Sequence, residues 1–235
     1  MTLDDLAQQA GLAFEHTGLL RRAVTHRSYV NEHPEALEDN ERLEFLGDAA
    51  LDFLTAAWLY SRFPEMDEGD LTRLRASLVR TEQLAKYARE MNLGAVLRMG
   101  RGLEEAGGRE QSTLLCDAFE AVIGALYLDA GIEAVLEFMQ PRMNTAIEEI
   151  LQNDRHLDPR SQLQIWAQAE FGETPRYLTV DAFGPDHARE FVVEVSVKNG
   201  MTGKGVGHSK QEAAQKAAAQ ILASLGNQAY GTNER

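Results

Sequence analysis

The 235-residue sequence has one cysteine, six prolines and two tryptophans, and aromatic side chains make up only 7% of it. A single thiol, Cys116, cannot form an intramolecular disulfide, so a stapled secreted scaffold is excluded and nothing calls for an oxidising compartment. So little proline in a chain that is 44% hydrophobic excludes collagenous and disordered classes. Basic side chains are scarce as well: 23 Lys and Arg stand against 37 Asp and Glu, for a formal net charge of -14. That balance is the opposite of a bulk nucleic-acid coat. Long apolar runs are missing too. Charges such as Asp52 and Glu120 interrupt the helical stretches well short of the roughly 18 residues a membrane span needs, and the opening MTLDDLAQQAGL has neither the basic nor the apolar region of a signal peptide. The expectation is a cytoplasmic protein with no membrane partner.

What is present divides in two. Up to about residue 150, apolar residues recur at three- and four-residue intervals, which predicts helices near 2–11, 17–24, 39–61, 70–91, 93–98, 111–129 and 131–151. After Pro159 a short helical pattern gives way to YLTVDAF, EFVVEVSV, a glycine-rich stretch and the alanine-rich SKQEAAQKAAAQILASL, which reads α-β-β-β-α. The expected fold is an all-α domain over 1–151, a polar linker over 152–159, a small α+β domain over 160–226 and a flexible tail over 227–235. Charge follows the same division. Residues 158–235 hold 8 basic and 9 acidic side chains, whereas residues 1–157 hold 15 and 28. Lys198, Lys204, Lys210 and Lys216 lie in the second part, and only Lys86 lies in the first. The acidity of the whole chain conceals a near-neutral module enriched in lysine.

Within NERLEFLGDAALDFL, Glu41, Glu44 and Asp48 are spaced three and then four apart, so a helix puts them on one face with Leu43, Leu46 and Ala50 opposite. CDAFEAVIGALYLD carries Asp117 and Glu120 three apart in a segment apolar enough to be buried. Two carboxylates about 4 Å apart repel by about 4 kcal/mol at an effective dielectric of about 20. If these faces meet, the cluster must take up protons or hold a cation; if they do not, they are solvated helix faces. The oxygen donors, without a histidine or thiol arranged for zinc, favour Mg²⁺ or Mn²⁺. Gly47 fits close helix packing, Cys116 a small buried side chain, and His26 with Ser28 a helix-helix contact.

ERLEFLGDA at 41–49 resembles the signature of the ribonuclease III family. THRSY at 25–29, DEGDLTRLRASLV at 67–79 and CDAFEAVIGALYLD at 116–129 extend the likeness in order, and the α-β-β-β-α tail resembles a double-stranded RNA-binding domain. The resemblance implies a homodimeric, metal-dependent endonuclease that cuts double-stranded RNA and processes rRNA and mRNA precursors. It would leave 5'-phosphate and 3'-hydroxyl ends with short 3' overhangs. It implies Glu44, Asp48, Asp117 and Glu120 as metal ligands, Asp48 and Glu120 among them as catalytic, Glu41 and Glu68 as supporting acidic positions, and Phe45 as a dimer contact. The implied cofactor is Mg²⁺, with Mn²⁺ as a substitute and no organic group.

The same resemblance implies RNA contacts from Ser161, Gln164 and Gln168 in the first helix of the small domain and from His187 in the loop GPDH. Lys210 would meet phosphate at the start of the last helix, supported by Lys204, His208 and Lys216. Gln211, Ala214 and Ile165 depart from residues common in such domains, and weaker phosphate affinity is the expected consequence.

Overall fold

The computed structural model describes residues 1–64, 66–153, 158–185 and 188–230, without the side chains of 151–153 and 226–230. The chain forms two compact units, residues 1–59 with 72–149 and residues 60–71 with 150–235. The short stretch 60–71 therefore packs with the C-terminal unit, a grouping that sequence order does not reveal.

The helices of the first part are α1 (Leu3–Ala10), α2 (Thr17–Ala23), α3 (Arg27–Glu32), α4 (Glu41–Arg62), α5 (Glu68–Val79), α6 (Thr81–Glu90), α7 (Arg101–Glu105) and α8 (Ser112–Asn153), with 3-10 turns at Leu93–Val96 and Gly108–Glu110. Three departures from the sequence reading stand out. The helix expected over 70–91 is two helices, because Arg80 is extended (φ -64°, ψ 151°) and caps α6. The helix expected at 93–98 is only a 3-10 turn, and α3 and α7 are additional. The break expected between 129 and 131 is present as a kink at Gly131, whose φ of 85° lies in the region that favours glycine. The core of this unit is aliphatic and aromatic: Leu43, Leu51 and Leu54 of α4 and Phe119, Val122 and Ile123 of α8 are buried together with Tyr87 of α6.

In the C-terminal unit, α9 (Pro159–Phe171) begins at Asp158, whose side chain accepts from the N–H groups of Arg160 and Ser161, and ends at left-handed Gly172. Strands β1 (Arg176–Phe183), β2 (Glu190–Ser196) and β3 (Thr202–Gly207) form one antiparallel sheet in the order β1-β2-β3, followed by α10 (Lys210–Tyr230). Val195 pairs with Tyr177 on one side and Gly203 on the other. A Cβ at Gly203, Gly205 or Gly207 would lie 2.1–2.7 Å from α10 backbone atoms. Glycine on the strand and Ala213, Ala217 and Ala218 on the helix are what allow that approach. Leu163, Ala167, Val195, Val197 and Ile221 fill the space between sheet and helices. The α-β-β-β-α order is the one expected. Among the described residues, no helix is long and apolar enough to cross a membrane.

Candidate active site

The site is built where α4 crosses the first half of α8. A Cβ on Gly47 would sit 1.8 Å from the Glu120 carbonyl oxygen, and one on Gly124 would sit 2.1 Å from the Leu43 carbonyl oxygen. Two glycines facing each other across the crossing thus let the helix backbones touch, as expected for Gly47; Gly124 escaped sequence reading. Glu44 and Asp48 flank Gly47 on α4, and Glu120 lies one turn before Gly124 on α8.

This contact gathers charge of one sign. Burial raises the carboxyl of Glu120 most, and the charges of Asp48, Asp117 and Glu44 add to it, pushing it up to about 7. Glu44 is also raised, by burial first and then by Asp117, Glu41 and Asp48. Burial raises Asp117 as well, and the neighbouring His26 opposes that shift. Glu44 and Asp48 of α4 therefore both act on Glu120 of α8, so these two carboxylates face the α8 acids across the crossing, whereas Glu41 acts only on its own helix and on His26. The tightest group is Cys116, Asp117 and Glu120, whose ligand atoms lie within 4.8 Å of one another. Cys116 is buried, as expected, and its thiol donates to Glu120 Oε1 at 3.5 Å. Burial, Glu120 and Asp117 push that thiol up, so it is a neutral donor rather than a nucleophile. The four-residue spacing of Cys116 and Glu120 on one helix was the available signal for this bond.

Around the cluster, Glu41 is exposed and accepts from Arg27 at 3.2 Å. His26 caps α3 and bonds to Ser28, which receives the N–H of Gly100, the N-cap of α7; Ser28 thus ties α3 to the start of α7. Glu68 opens α5 on the surface of the C-terminal unit. Phe45 projects from α4 at 78% exposure, and Phe53 further along the helix is 67% exposed.

The expected RNA contacts fall into distinct environments. Ser161 and Gln164 are buried, at 2% and 0% exposure. The Ser161 hydroxyl lies 2.9 Å from Asp70 Oδ2 and 2.5 Å from Asp158 Oδ2, and Gln164 Nε2 donates to the Arg62 carbonyl. The Ser161 hydroxyl and the Gln164 Nε2 thus meet protein within the C-terminal unit, the Gln164 Oε1 is buried without a hydrogen-bond partner, and Gln168 alone of the three is partly accessible. His187 lies outside the described residues. Lys210 is exposed at the start of α10 with its Nζ 5.9 Å from the Phe191 ring centre. Lys216 lies on the same helix, paired with Glu212 at 2.8 Å. Lys204 alternates with glycines that face α10, so it stands on the opposite face of the sheet. His208 is exposed, its backbone N–H donating to the Glu212 carboxylate. Ile165 and Ala214 are buried and Gln211 is exposed.

A helical domain with a carboxylate-lined helix crossing, followed by an α-β-β-β-α module, defines a nuclease class joined to a double-stranded RNA-binding motif. The profile described as Ribonuclease-III-like matches residues 16–147, and that of the double-stranded RNA binding motif matches residues 159–225. A Ribonuclease 3 of Roseiflexus sp. is 44% identical over 227 residues, spanning 95% of this chain and 96% of its own length. A Ribonuclease 3 1 of Nostoc sp. is 46% identical over 220 residues, spanning 92% and 96%. The solved nuclease domain of ribonuclease III from Campylobacter jejuni is 37% identical, with a TM-score of 0.58 over 63% of this chain and 99% of that one; its description mentions a region involved in dimer formation. The chain belongs to the ribonuclease III family.

Proposed function

We propose that this chain is a divalent-metal-dependent endoribonuclease that acts as a homodimer on double-stranded RNA. It hydrolyses phosphodiester bonds to leave 5'-phosphate and 3'-hydroxyl ends with short 3' overhangs. The observation that carries the reading is the meeting of two acidic helix faces at a glycine crossing, with the carboxyls of Glu44, Asp117 and Glu120 all raised. Such repulsion at a half-buried site is relieved by a cation, and the oxygen donor set suits a hard ion, Mg²⁺ or Mn²⁺.

Glu44, Asp48, Asp117 and Glu120 would hold the ion, with Glu41 as a supporting acid. When bound, it supplies polarisation of a phosphoryl oxygen and a water of lowered pKa. The chain's own contribution is to fix the carboxylates before substrate arrives, through the Gly47–Gly124 contact and the Cys116 bond to Glu120. Without a cation, Glu120 keeps its proton to about pH 7, and metal uptake must displace that proton. Exposed Lys210, at the head of α10, adds a positive charge to a helix N-terminus, an arrangement suited to phosphate. The exposed Phe45 and Phe53 are aromatic surface that a second copy would bury.

The testing experiment is Glu120→Gln, which removes a ligand charge while nearly conserving shape. Cleavage of a long RNA duplex in Mg²⁺ should fall by at least about 10²-fold, with duplex binding in EDTA unchanged. Undiminished turnover at ordinary Mg²⁺ would sink the site assignment.

A further inference from the structure

The C-terminal unit carries a cover over one of its own faces. Residues 60–71, which run from the end of α4 into α5, belong to this unit rather than to the helical one. They meet α9 at two buried polar residues. The Ser161 hydroxyl, on a residue 2% exposed, lies 2.9 Å from Asp70 Oδ2, and Gln164, at 0% exposure, donates from Nε2 to the Arg62 carbonyl at 3.4 Å. Asp70 is itself buried. A cleft of about 400 Å³ in the same unit is lined by Met66 and Asp67 of this stretch and by Arg160, Tyr177, Lys210 and Gln211 of the α-β-β-β-α module. The starts of α9 and α10 thus share one face, and the acidic turn at 67–70 lies against it. Helix starts with cations beside them attract anions. Here the carboxylates of Asp67 and Asp70 stand where a duplex would bring phosphate.

The cover is an imperfectly satisfied contact. The Ser161 hydroxyl has one hydrogen to give, yet it lies within bonding distance of two carboxylates, Asp70 and, at 2.5 Å, Asp158. One of the two can bond it only by holding a proton. Burial first, and then the bond to Asp158, raise the Asp70 carboxyl against the opposing effect of Ser161, so Asp70 is the holder. Gln164 Oε1 is buried with no hydrogen-bond partner, an acceptor that water or a 2'-hydroxyl would satisfy once it is uncovered. A contact with a trapped proton and an orphaned acceptor is one that a competing polyanion can displace.

We propose that residues 60–71 are an autoinhibitory cover: in the RNA-free chain they occupy the face of α9 that bears Ser161 and Gln164, and a duplex reaches that face only by displacing them. This rests on the reading of the module as the binder of double-stranded RNA. It adds that the apparent affinity is lowered by the fraction of molecules that are covered.

The test is binding of a labelled RNA duplex of about 16 base pairs to the full-length protein in EDTA, with thermal melts alongside. Asp70→Ala removes the group that meets Ser161, and duplex affinity should rise about threefold to tenfold. Asp70→Asn removes the same charge, but its amide hydrogens take the place of the held proton, so the cover stays and affinity should remain within about twofold of wild type. Equal gains in both variants would reduce the effect to lost charge and overturn the inference, as would no gain in the Ala variant. Wild-type protein that binds no duplex would overturn the RNA-binding reading and the inference with it. Should either variant fail to fold, hydrogen exchange of the wild-type protein decides: saturation with duplex should speed exchange over residues 60–71, and exchange there that is unchanged or slower refutes displacement.

Discussion

The glycine crossing is the feature on which site and fold depend together, and Gly47→Ala tests it. The added Cβ would stand 1.8 Å from the Glu120 carbonyl oxygen, whereas ordinary contact begins at 3.4 Å. The atom it meets is backbone in the middle of a buried helix, so no side chain can swing away. The helices must part by about 1.5 Å or tilt, and overpacking of that kind costs about 1–3 kcal/mol or more. Alanine's better helix propensity returns at most about 1 kcal/mol. A net loss of about 2 kcal/mol or more is expected in urea melts. Because Glu120 moves relative to Glu44 and Asp48, Mn²⁺ affinity and duplex cleavage should fall even under conditions where the variant is fully folded; a misplacement near 1 Å can cost about 10²-fold in rate. Gly124→Ala, whose Cβ would meet the Leu43 carbonyl oxygen at 2.1 Å, should behave alike, and the control is Gly18→Ala, where nothing lies within 4 Å. The control should be neutral or gain up to about 1 kcal/mol. A Gly47→Ala protein with wild-type stability and wild-type metal affinity would refute the reasoning.

Three further outcomes follow from the same structure. In metal-free protein the folded-state carboxyl of Glu120, held near 7 against an ordinary 4.5, stabilises fully at low pH and loses that contribution as pH rises through about 7. At about 1.4 kcal/mol per pH unit over about 2.5 pH units this is at most about 3.5 kcal/mol, and less at a site only half-buried, so urea melts in EDTA should show stability falling between about pH 4.5 and pH 7 more steeply in wild type than in Glu120→Gln; equal slopes would remove the effect from Glu120. Lys210→Ala should flatten the salt dependence of duplex binding by about one counterion, and an unchanged slope would take Lys210 out of the phosphate interface. Phe45→Asp should shift the sedimentation of full-length protein toward monomer, and an unaltered dimer would place the contact elsewhere.

Much of this was legible beforehand for a physical reason: side-chain spacing encodes which face of an element a residue occupies. Glu44 with Asp48, and Asp117 with Glu120, could be put on helix faces from their intervals, and the α-β-β-β-α order from the change of period after Pro159. Spacing does not encode which faces meet. The crossing needs Gly124 as well as Gly47, and a glycine in an apolar helix carries no local mark of its partner. α3 and α7 are too short for periodicity to register, and α3 is held by tertiary bonds such as that from Gly100 to Ser28. The break at Arg80 is a backbone choice that no proline or glycine announces. Ser161 and Gln164 have the polarity of surface residues yet are buried, because Asp70 and the Arg62 carbonyl supply partners from the distant stretch 60–71. A buried polar residue is readable from sequence only when its partner is also in view.

The distribution of charge then gains a physical sense. A chain with net charge -14 is a poor match for a polyanion, yet its acidity is concentrated in residues 1–157 and part of it is drawn into one half-buried site. Carboxylates gathered at a half-buried crossing repel one another, and burial with the neighbouring charges raises the Glu120 carboxyl. On the proposed reading, a divalent cation would relieve that repulsion and turn the site locally from repulsive to attractive toward phosphate. Four of the five lysines lie in the near-neutral remainder, where Lys210 stands exposed at a helix N-terminus. Binding by one charge pattern and cleavage by the other can then be separated by experiment: metal removal should abolish cutting and leave duplex binding, while raised salt should weaken binding first.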